Sequence, residues 1–137
     1  MKKSWEQIHQ ELSEPFSHED VEWKIQTVSK DKSRGLAVAY VTARAIQNRL
    51  DAVVGAQNWK PVFRQWHTVT DRDGNPIPSQ LCTIQIFDDE RHEWMEKTDG
   101  AENTDYEPVK GGLSDAMKRA ASQWGIGRYL YKLGTPW

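Results

Sequence analysis

A single cysteine, Cys82, leaves the chain unable to form an internal disulfide. That suits a reducing compartment, and the expected location is the cytoplasm of a bacterial or phage-infected cell. No run of about 20 apolar residues occurs, so nothing reads as a membrane span. The N-terminus, MKKSWEQIHQEL, has no apolar stretch of the kind a secretory leader needs. No Gly-rich loop ending in Gly-Lys-Ser/Thr is present, which removes the usual nucleoside-triphosphate cradle. One cysteine and four scattered histidines (His9, His18, His67 and His92) do not supply a four-ligand zinc site. Asp71-Arg-Asp73-Gly-Asn75 imitates the start of a calcium loop, but its twelfth position is Cys82 where a glutamate is needed, so it reads as a turn. A large charge of one sign is missing too. The net charge is −2, and an attraction to polyanions has to come from local patches.

The 137 residues fit one domain, 1–137, of ordinary soluble composition, with 37% hydrophobic and 28% charged residues. Seven tryptophans are many for this length and raise the prospect of stacking or interface use. Ser4-x-x-Gln7 resembles a capping box, followed by Trp5, Ile8 and Leu12 at helical spacing as far as Pro15. VEWKIQTV (21–28) and LAVAYV (36–41) read as a hairpin around KDKSRG (30–35). Thr42 caps a helix to about Val54, and Gly55 ends it. Strands are expected over 59–70, 81–87 and about 92–98, with a loop over 99–108. A long helix follows from Pro108, with Leu113, Met117, Ala120, Ala121 and Trp124 on its apolar face and Lys118 and Arg119 on its polar side. GRYLYKL (127–133) adds a short helical segment. The expected fold is α+β: helix, hairpin, helix, three-strand meander and helix, with an antiparallel sheet packed by the helices.

Charge is segregated along the chain. Residues 24–49 carry six basic side chains against Asp31, residues 87–107 nine acids against Arg91 and Lys97, and residues 110–132 five basic side chains against Asp115. Two basic segments that meet in space would line a groove for phosphates; taken singly, each is a solvated face. Asp88 and Asp89 after a strand leave a metal-dependent nuclease as a minor alternative, with Glu93, Glu96 and Lys97 nearby.

AYVTARAIQNRLDAVVGAQNW (39–59) and KGGLSDAMKRAASQWGIGRYLY (110–131) resemble the Rad-fifty-two/Rad-twenty-two single-strand annealing family, in its bacterial and phage, DdrA-like branch. EPF…VEWK (14–24) fits the same branch, and the resemblance covers about residues 12–137. It implies a homo-oligomeric ring, with no ATPase or nuclease activity and no cofactor. A basic groove would hold single-stranded DNA by its backbone and leave the bases free to pair. It also implies a role in recombination and double-strand break repair, with a host or phage single-strand-binding protein as a partner. By this resemblance Lys118 and Arg119 match a groove-lining Lys-Arg pair, and Arg44 and Lys110 match further groove cations. Chemistry alone adds Lys30, Lys32 and Arg34 in the hairpin turn, and Arg128, within reach of a phosphate or a neighbouring subunit. Arg49 is expected to pair with an acid on its own helix, and Trp66 to share a strand face with Arg64. Tyr129 and Tyr131 are expected at a subunit boundary. Two further alternatives stand beside annealing: protection of DNA 3′ ends, and a structural ring whose groove is vestigial.

Overall fold

The computed structural model describes residues 3–28, 35–70, 72–102 and 108–132; for 24–28, 35–38, 66–70, 76–78, 102, 108–110 and 132 it describes the backbone alone. Helix α1 spans Trp5–Leu12, and the Gln7 amide donates to Ser4 Oγ at 3.1 Å. Strands β1 (Val21–Val28) and β2 (Gly35–Val41) pair antiparallel. The Thr42 amide donates to the Asp20 carbonyl at 2.9 Å and closes the open end of this hairpin. Thr42 then caps α2 (Ala43–Val54) by accepting from the Ala45 amide at 3.1 Å. Gly55, at φ +96°, ends α2 in the region that favours glycine. Strands β3 (Trp59–Thr70), β4 (Pro76–Asp88) and β5 (Glu93–Glu102) form a second antiparallel sheet with β4 in the middle. Helix α3 (Pro108–Gln123) lies on β4 and β5, and a 3₁₀ helix, Arg128–Lys132, returns to β2.

The α+β class and the antiparallel strands agree with the expectation from sequence. Two separate sheets, the hairpin and the meander, stand where one was expected. The third meander strand also runs to Glu102 rather than Thr98. Asp99, Gly100 and Ala101 pair with Cys82, Leu81 and Gln80 of β4, so the ladder overrides their weak strand preference. The expected turn at 30–34 lies outside the described residues.

The core forms where α1, α2 and α3 meet the inner face of the meander. Cys82, Ile84 and Ile86 alternate inward from β4 and are fully buried. They meet Ala116, Met117, Ala120, Ala121 and Trp124 of α3, with Leu12, Ile46 and Leu50 from the other helices. Trp124 is core as expected; its indole N–H donates to the Ile84 carbonyl at 3.0 Å, and Trp5 stacks on it at 5.8 Å between centroids. None of the helices among the described residues is long and apolar enough to cross a membrane.

Candidate functional site

The second half of α3 carries adjacent cations, and their surroundings differ. Arg119 is exposed. Lys118, expected on a polar side, is only 5% exposed. The meander takes the alanine face of α3, and Tyr40 of β2 and Tyr131 of the 3₁₀ helix share a cleft with Lys118 on the neighbouring flank. The Lys118 ammonium lies 5.7 Å from the centroid of the Tyr40 ring, a cation–π arrangement. Tyr40 also meets Tyr131 edge to face, at 6.3 Å and 84°.

These side chains line a cleft of about 530 Å³, together with Asp115, Gly100 and Ala101. It is a polar, open depression with two cations and one carboxylate. Burial raises the Tyr131 phenol above its ordinary value, Arg119 opposes the rise, and Tyr40, Asp99 and Asp115 add to it. At neutral pH the phenol is therefore a hydrogen-bond donor. Tyr40 and Tyr131 escaped the sequence reading as parts of this site. The one available signal was Tyr40, placed two residues before a helix cap and so at the end of a strand that faces the next helix.

Arg44 is exposed in the first turn of α2. It precedes Gln47 by one turn, and Gln47 Nε2 reaches Met117 Sδ at 4.0 Å, so Arg44 lies along the α2 edge that approaches α3. Lys110 is in the first turn of α3, its side chain outside the described set. Lys30, Lys32 and Arg34 are outside the described residues altogether, as is the Trp66 side chain. Arg128 is used locally: Nε donates to the Ser122 carbonyl at 2.7 Å and a terminal nitrogen to the Gln123 carbonyl at 2.8 Å. It thereby caps α3, where a cation also suits the helix dipole. Arg49 does not pair with an acid of its own helix but holds the end of α1, donating to the carbonyls of Glu11, Leu12, Glu14 and Pro15. Tyr129 is likewise internal, its hydroxyl accepting from the Phe16 amide at 3.0 Å.

A second cleft, about 560 Å³, opens between the start of α1, the end of α2 and the β4–β5 turn. Its lining includes Trp5, Ile8, Val54 and Phe87 with Asp88, Asp89 and Glu90. Asp88, weighed as a metal ligand, is 4% exposed and accepts from the amides of Glu90 and Arg91, so its carboxylate organises the turn. Among the described residues no group of three or more His, Cys, Asp or Glu side chains is placed to hold a metal ion.

Comparison with known proteins bears on the whole chain. The family profile described as "Rad52/22 family double-strand break repair protein" matches residues 4–137. A protein of Deinococcus deserti named single-stranded DNA-binding protein DdrA is 35% identical over 130 residues, which are 95% of this chain and 59% of that protein. The protein of the same name from Deinococcus radiodurans is 34% identical over 130 residues, 95% of this chain and 57% of that protein. The chain thus spans less than three-fifths of the length of either relative. With the family profile matched from the first helix to the last residue, this chain is a member of the Rad52/22 family.

Proposed function

We propose that this chain binds single-stranded DNA in the Lys118–Arg119 cleft and pairs complementary strands without ATP, as one subunit of a homo-oligomeric ring acting in recombination and double-strand break repair. The observation that carries this reading is the juxtaposition of Lys118 and Arg119 with Tyr40 and Tyr131 in one open, polar cleft. Cations beside aromatic faces are what an unpaired strand requires, because it offers phosphates and bases together. The match to relatives named for single-stranded DNA binding supports the same choice of ligand. Contacts to phosphate ignore sequence, as an annealer must, and base pairing supplies the free energy, so no nucleotide need be hydrolysed. A subunit with a short stretch of cations becomes effective when repeated around a ring, since each added copy contributes binding at high local concentration.

The test is fluorescence-monitored pairing of two complementary oligonucleotides without ATP or metal. The expected result is faster pairing with the wild-type chain, lost in the Lys118→Ala/Arg119→Ala double variant. Because Lys118 is buried, the exposed single variant Arg119→Ala is run in parallel, with circular dichroism to confirm that both remain folded. Full acceleration by the folded variants would remove the cleft from the mechanism. The relatives are named for single-stranded DNA binding, which fits equally a second reading of this chain: binding and protection of DNA 3′ ends without faster pairing. That reading requires exonuclease resistance of bound 3′ ends with no gain in pairing rate.

A further inference from the structure

Phosphate contacts account for Lys118 and Arg119 but not for Tyr131. This residue is 48% exposed at the rim of the cleft. Its ring is steadied edge-on by Tyr40, which itself faces the Lys118 ammonium. The other exposed large aromatics of known placement differ. Trp94 has Lys60 Nζ over its ring at 4.4 Å and Phe87 against it at 5.3 Å, so its surroundings are already filled. Trp23 lies on the hairpin and Phe63 on β3, and neither lines this cleft. Tyr131 thus combines an open aromatic surface, a packed support and adjacent cations.

We propose that Tyr131 is a stacking platform for one nucleobase of the bound strand, set between the phosphates held by Lys118 and Arg119, and that it determines the preference of the cleft for unpaired over paired DNA. This rests on the strand-binding reading of the same cleft. The physical reason is simple. A base inside a duplex has both faces covered by its neighbours, whereas an unpaired strand can turn one face onto a side chain. Every base has such a face, so the contact stays blind to sequence. One platform per subunit also leaves the remaining bases free.

The experiment compares two labelled strands of equal length by fluorescence anisotropy: oligo-dT, and an oligonucleotide of abasic tetrahydrofuran units, which keeps the phosphates and lacks the bases. The wild-type chain is expected to bind oligo-dT roughly tenfold more tightly. In Tyr131→Ala that gap closes while abasic affinity and its salt dependence stay as they were, and Tyr131→Phe keeps the gap. Lys118→Ala/Arg119→Ala weakens both strands alike. Three results overturn the platform and leave strand binding intact: a gap that persists in Tyr131→Ala, an equal loss on both strands, or a change of mass by light scattering that assigns Tyr131 to a subunit contact. Wild-type chain that binds neither strand overturns the strand-binding reading with it.

Discussion

Arg49 donates through its two terminal nitrogens to four carbonyls of the chain leaving α1, and its guanidinium carbon lies 3.9 Å from the centroid of the Phe16 ring. The Glu11 carbonyl also accepts from the Glu14 amide at 3.4 Å, so the cation adds to the backbone bonds that close the end of α1. Arg49→Ala is expected to lower stability by about 2–4 kcal/mol in urea unfolding, while folded variant keeps its strand affinity. Cys82 gives a second prediction. Burial pushes its thiol up to about 12 from an ordinary 9.0. Folded protein is expected to resist iodoacetamide at pH 8 and unfolded protein to react, as mass spectrometry would read out. The unfolded thiol ionises first, so Cys82 favours folding fully below pH 9, and that contribution falls away between 9 and about 12. At this scale the sequence was only partly legible. An arginine on a helix reads the same whether it meets a phosphate, a carboxylate or a carbonyl. Arg49, Arg119 and Arg128 have three different surroundings, and the neighbours that decide them lie elsewhere in the chain or past a turn.

Among the elements, the end of α3 makes a close junction with α1. Gly125 sits at φ +94°, and a Cβ there would meet Ser13 Oγ at 2.5 Å and His9 Cε1 at 3.1 Å. The chain therefore turns off α3 by passing directly against the end of α1. Gly125→Ala is expected to cost at least 2 kcal/mol, on the order of a strained backbone plus a steric shift, read as a lower thermal midpoint by circular dichroism. The helices and the hairpin were legible because capping residues and apolar spacing agreed: Ser4 with Gln7, Thr42 with Ala45, Val54 with Gly55. The far half of β5 was not. Asp99 and Gly100 disfavour strands locally, and only their partners on β4 place them in the sheet. The division into two sheets was also hidden, because alternation says which face a residue takes and not which strand lies beside it.

Across the whole molecule, the proposed function turns on how many cations face a strand. Eight were singled out from the sequence; Arg44 and Arg119 are exposed, Lys118 lines the cleft and Arg128 holds a helix end. Strand affinity should fall with salt at a slope of about −0.7 per phosphate engaged. Arg44→Ala and Arg119→Ala are each expected to reduce that slope by about 0.7, and Arg128→Ala to leave it unchanged while lowering thermal stability. Salt titrations of the three variants check this. The charge segregation was plain in the sequence, but the cleft joins residues from β2, β5, α3 and the 3₁₀ helix, and no spacing along one segment could announce it.

Lys118 carries a consequence for how such a chain can evolve. Its ammonium is withdrawn from bulk water on folding, before any ligand arrives, so the dehydration that a strand would otherwise have to impose has already occurred. Affinity gained in this way is set against the stability of the folded chain. Lys118→Met, which keeps the volume and drops the charge, is expected to melt no lower than wild type, and above it if the ammonium costs more than its contacts return, while binding single strands less tightly. On the proposed reading, one side chain answers to two demands at once, the packing of the folded chain and its grip on DNA.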